Sequence, residues 1–266
     1  MGRLDGAPSE FMKSNSSWDL IVDPATDPVR NMALDAALLA EVEKAVDPRT
    51  IVRFYSWSCP ALSLGRNQKI ERAADLEYCR AQGITVVHRP TGGRAVLHGV
   101  DELTYAVVSN DPAAFDGGAV YATYRRISEA LVDGYRMLGV DAVLAPDTTR
   151  HTRVDGHEDP CFVSPSRYEL MVGGRKVVGS AQRRLRSSFL QHGSMPITCD
   201  RGRLAAATRM PDASILDREM AGLSECMPET PAIEALVEVF RRAFEQRFRI
   251  RFRNRSRRPQ AREAGV

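Results

Sequence analysis

The chain has 266 residues, 43% of them hydrophobic and 27% charged, with a formal net charge of +3. That composition supports one large domain, or a domain with a small appendage, and leaves disorder only for the ends. A charge this close to balance does not by itself point to a nucleic-acid ligand. The five cysteines (Cys59, Cys79, Cys161, Cys199 and Cys226) are odd in number and include no C-x-x-C pair. A zinc ribbon and a thioredoxin-type motif are thereby excluded, and reduced thiols in a cytoplasmic protein are expected. Residues 1–17 lack the apolar stretch of a secretion signal, and no apolar run reaches bilayer-spanning length.

In chain order, residues 1–17 read as a polar, flexible leader and 18–23 as a strand. Asp27-Pro28 supplies an N-cap and a proline for the first helical position. Leu34, Leu38, Val42, Ala45 and Val46 then recur at helical spacing, which predicts a helix over 28–46. Strands are predicted at 51–57 and 61–65, and a helix over 71–82 stopped by Gly83. Strands at 84–89 and 94–97 flank the loop Pro90-Thr91-Gly92-Gly93, and another strand follows at 103–108. A helix over 121–138 ends at Gly139, and the polar stretch 147–160 reads as a loop. Gly173-Gly174 between 168–172 and 175–179 is a strong hairpin signal, since both turn positions need positive φ. A strand at 189–195 precedes a mainly helical last third, where Thr230-Pro231 opens a helix bearing Ile233, Leu236, Val237, Phe240 and Phe244. Phe248, Ile250 and Phe252 alternate with arginines as a final strand, and 254–266 reads as a basic, disordered tail. Many strands with tight turns and few long helices favour an α/β (α+β) fold with a mixed, largely antiparallel sheet flanked by helices, in a single domain over 18–253.

Three constellations carry chemistry. Two adjacent glycines after a strand, Gly92-Gly93, let backbone N–H groups face an anion or carbonyl, with Arg89 and Arg94 as flanking charges; a plain turn is the alternative. Lys176 alternates with Val177 just after the hairpin turn, so it faces a cleft or solvent. Cys161, in a proline-bounded loop, has His151 and His157 within ten residues and is either a nucleophile or an incidental loop thiol. Cys59 and Cys79 read as packing residues. The arginines at 249, 251, 253, 255, 257 and 258 form either a solvated edge and tail or a docking surface for an acidic protein, with RNA as a third reading.

The run Arg89-Pro90-Thr91-Gly92-Gly93-Arg94-Ala95-Val96-Leu97-His98, followed by Glu102-Leu103-Thr104-Tyr105, resembles the lipoate/biotin protein ligase and octanoyltransferase superfamily. Gly174-Arg175-Lys176-Val177-Val178-Gly179-Ser180-Ala181-Gln182 resembles its second signature and Leu190-Gln191-His192-Gly193-Ser194 its third; Asn31-Met32-Ala33 and Arg53-Phe54-Tyr55-Ser56-Trp57 fit its opening. Cys161-Phe162 ahead of Pro165-Ser166-Arg167-Tyr168-Glu169-Leu170 is most similar to the LipM type of octanoyl-carrier-protein transferase. Cys199 lies too close to Gly193 for the LipB type, and too few residues follow Gly193 for the accessory domain usual in LplA-type ligases.

The resemblance implies the sheet shared by biotin ligases and class II synthetases. It implies Cys161 and Lys176 as catalytic, with Lys176 holding the acyl carbonyl. It implies substrate contacts from Arg89, Thr91, Gly92, Gly93, Arg94, His98, Gly179, Ser180, Gln182, His192 and Gly193, the glycine loop and His98 lining an acyl tunnel. The reaction implied passes an octanoyl or lipoyl group from octanoyl acyl carrier protein, through a Cys161 thioester, to a lysine of a lipoyl domain or the glycine cleavage H protein. Thioester exchange is close to thermoneutral, so no cofactor is expected; ATP and Mg enter only if the chain is a lipoate-protein ligase instead. A lipoyl amidotransferase and a non-catalytic acyl-carrier or RNA-binding module are the remaining readings. A monomer is expected, with no metal, membrane or nucleic-acid partner.

Overall fold

The computed structural model describes residues 17–145 and 168–256. Their elements run β1 (Ser17–Val22), α1 (Pro28–Glu43), β2 (Thr50–Tyr55), β3 (Ala61–Leu64), α2 (Ile70–Ala73), α3 (Leu76–Ala81), β4 (Thr85–His88), β5 (Val96–His98), β6 (Glu102–Ser109) and α4 (Val120–Met137). They continue as β7 (Val143–Leu144), β8 (Leu170–Val172), β9 (Arg175–Lys176), β10 (Gly179–Arg184), β11 (Phe189–Pro196), α5 (Arg201–Ala207), α6 (Ser214–Glu219), α7 (Ile233–Phe248) and β12 (Arg251–Asn254).

The main sheet has the order β10-β11-β6-β2-β1-β12. Its β10–β11, β11–β6 and β6–β2 pairs are antiparallel, while β2–β1 and β1–β12 are parallel. The expected mixed, largely antiparallel sheet with flanking helices is therefore present. Two three-stranded sheets, β4-β3-β5 and β7-β8-β9, lie beside it.

Period-two alternation divides the main sheet between two helical layers. Trp18, Leu20, Val52, Phe54, Leu103, Tyr105 and Val107 point to one side, where Leu131 and Tyr135 of α4 and Phe240 and Phe244 of α7 cover them. Each such buried side chain contributes roughly 1.5–3 kcal/mol. The two helices approach closely at Gly134, where an added Cβ would stand 2.4 Å from the Phe240 ring. On the opposite side Ile21, Ile51, Tyr55, Ala106, Val108 and Leu190 pack under Leu38, Leu39 and Val42 of α1. This second face also carries the polar residues Asp35, Arg53, Thr104, His192 and Ser194, all buried.

Several element boundaries differ from the sequence reading, each for a local reason. Helix α1 begins as expected, with the Asp27 carboxylate accepting from Arg30 N–H at 3.1 Å, but it stops at Glu43. The Asn110 amide donates to the carbonyls of Ala45 and Asp47, turning the chain toward β2 and leaving Val46 exposed. The helix expected over 71–82 is two short ones. Ala74 is extended, Asp75 caps α3 through Tyr78 N–H, and the Asp75 N–H donates to the Ala207 carbonyl at 2.8 Å. The single strand expected over 175–179 is also divided: β9 belongs to the Gly173-Gly174 hairpin and β10 to the main sheet. Both hairpin glycines have positive φ, 55° and 80°. Phe248, read as the start of the final strand, closes α7; Arg249 caps it in the left-handed region before β12 starts.

Candidate active site

The glycine-rich loop follows β4 and is held by its own arginine. Arg89 is buried and donates to the carbonyls of Ser63 at 2.8 Å, Gly92 at 2.8 Å and Arg94 at 2.7 Å. Arg89, expected as a flanking charge, thus clamps the loop itself. Gly93 has φ +92°, and its carbonyl sits where a Cβ on Gly65 would fall, 1.8 Å away. The loop backbone thus presses on β3's end at a distance only glycine allows. Thr91, fully buried, places its hydroxyl 2.7 Å from His192 Nε2.

His192 belongs to a buried chain of charges. Its Nδ1 lies 2.8 Å from Asp35 Oδ2, and the Asp35 carboxylate also accepts from Arg53 Nη1 at 2.6 Å and the Tyr55 hydroxyl at 2.9 Å. Arg53 reaches Asp23 and Asn31 as well. Because Asp35 accepts, the His192 proton sits on Nδ1 and Nε2 receives the Thr91 hydroxyl. Burial pushes the imidazole below its ordinary value against the pull of Asp35, so it is neutral near pH 7. Burial alone would raise Asp35, but Arg53 and His192 outweigh it and hold the carboxyl below its usual value.

Both shifts mean that the unfolded chain binds protons more readily than the folded one. Stability is therefore intact above about pH 6.5, the ordinary histidine value, and falls as the pH drops below it, then further in the range where carboxylates protonate. The thermal midpoint is expected to decline between pH 6.5 and 5, and His192→Gln to flatten that decline. An unchanged slope in the variant would remove His192 as its source.

A second chain of hydrogen bonds runs through His98. Its Nε2 lies 2.7 Å from Ser63 Oγ and its Nδ1 2.7 Å from Glu102 Oε1. Thr104 Oγ1 also donates to Glu102, at 2.8 Å, and accepts from Trp57 Nε1 at 2.9 Å. The His98 ring stacks on Trp57, with centroids 4.0 Å apart.

These two chains wall a cleft of about 330 Å³, with Met32, Tyr55, Trp57 and Val96 as its larger apolar surfaces. Of the expected contact residues, Arg89, His98, Gly179, Ser180, His192 and Gly193 line it. Ser180 Oγ bonds the Tyr105 hydroxyl at 2.8 Å, and an added Cβ on Gly193 would fall 2.7 Å from Ser180 Oγ and 2.6 Å from the Tyr105 ring. Thr91, Gly92, Gly93 and Arg94 act behind the wall through the loop clamp. Gln182 pairs across strands with Gln191 at 3.1 Å. The sequence reading did not single out Ser63, Thr104, Ser194 or the Asp35–Arg53–Tyr55 cluster as site residues, although Met32, Arg53, Tyr55, Trp57, Thr104 and Ser194 fall in segments that the resemblance had marked.

Lys176 is not the solvated strand lysine that spacing allowed. It is 2% exposed beside the fully buried Val177, and its Nζ lies 2.5 Å from Glu169 Oε1, itself buried. Cys161, His151 and His157 lie outside the described residues. Cys79 is buried and Cys59 half-buried, in line with packing roles. Burial pushes the thiol of Cys199 up to about 12 and raises Cys79 and Cys226 as well, so none of these three is a ready thiolate. No group of three or more His, Cys, Asp or Glu side chains among the described residues could hold a metal, and none of their helices is long and apolar enough to cross a membrane. In the arginine-rich end, Arg253 and Arg255 pair with Asp19 and Glu41 of the domain.

The family model of the lipoyl protein ligase A/B catalytic domain matches residues 27–245. The chain is 41% identical to octanoyltransferase LipM of Moorella thermoacetica over 209 residues, 77% of this chain and 74% of that one. It is 38% identical to octanoyltransferase LipM of Geobacillus kaustophilus over 233 residues, covering 84% and 83%. Among solved structures, a lipoate-protein ligase A bound with ATP superposes with a TM-score of 0.72 at 25% identity, over 92% of this chain and 90% of that one. A putative lipoate protein ligase from T. acidophilum with bound lipoic acid gives the same values. With the clamped glycine loop, the apolar cleft and matches over most of its length, the chain belongs to the lipoyl protein ligase A/B catalytic domain family.

Proposed function

We propose that this protein is an octanoyltransferase of protein lipoylation, carrying an octanoyl group from the thioester of an acyl carrier protein to a lysine of a lipoyl domain or glycine cleavage H protein. The observation that carries the reading is the identity of 36–42% to octanoyltransferases of the LipM kind over most of the chain. The apolar cleft beside the glycine loop suits a saturated acyl chain, which needs surface rather than hydrogen bonds. In this reading Cys161 attacks the carrier thioester, forming a second thioester at little cost, and the amide made by the lysine amine drives the sequence forward. A free thiol near pKa 8.5 is only a few per cent thiolate at neutral pH, so a cation such as Lys176 would raise the reactive fraction. The transferase requires no cofactor.

An ATP-dependent lipoate ligase is the second reading, favoured by the likeness to the ATP-bound ligase structure. Intact-mass measurement separates the two. Incubation with octanoyl carrier protein alone should add one octanoyl group to the enzyme, released by hydroxylamine. Modification of a lipoyl domain only when ATP and free lipoate are supplied would favour the ligase.

A further inference from the structure

His98 lines two clefts. One is the apolar cleft described above; the other, of about 700 Å³, lies on its far side and is lined by Asp101, Thr198, Asp200 and Arg203. No other described residue lines both. Asp200 is exposed at the start of α5, where it accepts from the Arg203 N–H, and Asp101 accepts from the Thr198 hydroxyl. The second cleft thus presents carboxylates to solvent and ends on an imidazole. That imidazole is oriented as a proton acceptor: Glu102 Oε1 accepts a hydrogen bond from Nδ1–H, leaving Nε2 to accept from the Ser63 hydroxyl. Glu102 is 1% exposed, and its Oε2 has no hydrogen-bond partner among the described residues, so the carboxylate retains capacity to stabilise a cation on its neighbour.

We infer that the second cleft admits the acceptor lysine and that the Ser63–His98–Glu102 chain takes the proton its amine must lose before attack. The inference rests on the acyl-transfer reading of this site. The lysine arrives as an ammonium, drawn by Asp101 and Asp200. One proton passes to Ser63 Oγ as Ser63 gives its own to Nε2 of His98. The amine nitrogen then bonds to the thioester carbon, the carbon–sulfur bond breaks, and the departing thiolate takes the second nitrogen proton. The products are an amide, a thiol and an imidazolium held by Glu102, which returns its proton to solvent. His98 is the catalytic residue of this step and Glu102 its positioning residue.

The test follows loading of the enzyme from octanoyl carrier protein and discharge of the loaded enzyme to a lipoyl domain as separate rates, in the wild type, His98→Gln and Glu102→Gln. Hydroxylamine, which reacts without losing an ammonium proton, serves as a second acceptor. The expected result is discharge to lysine slowed about 100-fold in His98→Gln, the low end for a lost general base. Loading and discharge to hydroxylamine should fall at least about tenfold less than discharge to lysine, and Glu102→Gln should show the same split more mildly. Asp101→Asn should raise the KM for the lipoyl domain several-fold at similar kcat. Equal losses in both half-reactions, or equal losses toward lysine and hydroxylamine, would overturn the inference. If the wild type forms no acyl-enzyme, the transferase reading falls instead. The lysine-to-hydroxylamine ratio, then measured with ATP and free octanoate, still decides the role of His98.

Discussion

Replacement of Cys161 by alanine is expected to lower octanoyl transfer from carrier protein to lipoyl domain by at least about 10³-fold and to abolish the hydroxylamine-labile mass adduct. Removing a covalent nucleophile leaves only binding and electrostatic stabilisation, and in other enzymes that residual is small. The size of the effect also follows from the other cysteines. Burial raises the thiols of Cys79 and Cys226 and pushes that of Cys199 up to about 12, so none of these three offers a substitute thiolate near neutral pH. Initial rates by intact mass, with circular dichroism to establish folding, check the prediction. Activity within tenfold of wild type would remove Cys161 from the mechanism.

Lys176→Met is expected to cost about 3–5 kcal/mol of stability, because it leaves the buried Glu169 carboxylate without the ammonium 2.5 Å from it. The double variant Lys176→Met/Glu169→Gln removes both charges at similar volume and should regain most of that loss. Activity should not return with stability if Lys176 also holds the acyl carbonyl, since one lost oxyanion donor alone costs roughly 10²–10³ in rate. Denaturant unfolding and transfer rates measured on both variants separate the two roles. Recovery of activity together with stability in the double variant would make Lys176 purely structural.

What the sequence revealed, and what it hid, divides along local against tertiary causes. The Gly173-Gly174 hairpin, the Asp27-Pro28 helix start and the strands β6 and β11 depend on neighbouring residues and were legible. The break at Ala74 was not, because the Asp75 N–H binds a carbonyl 132 positions away in α5, as Asp75 and Ala207 are numbered. Strand β10, GSAQRR, carries no apolar alternation because it contributes Gly179, Ser180 and Ala181 to the cleft wall. The same division holds in the site. The motif glycines and histidines were visible, yet Asp35 reads as an ordinary polar helix residue until His192, 157 positions later, is placed against it. Arg89 read as a cation flanking the glycine loop, and the clamp it makes on that loop was hidden because the partners are backbone carbonyls, which every sequence contains.

The parallel pairing of β12 with β1 joins residues as far apart as Asp19 and Arg253, 234 positions along the chain. During synthesis at about 5–20 residues per second, β1 therefore waits roughly 12–47 seconds for its edge partner to be made. Until then Trp18, Leu20 and the rest of that edge lack both the strand beside them and the end of α7. An unpaired strand edge is a template for pairing with another chain. The growing polypeptide is thus most exposed to aggregation on the ribosome at the sheet edge opposite β10, and shielding there by a chaperone would matter more than anywhere near the cleft.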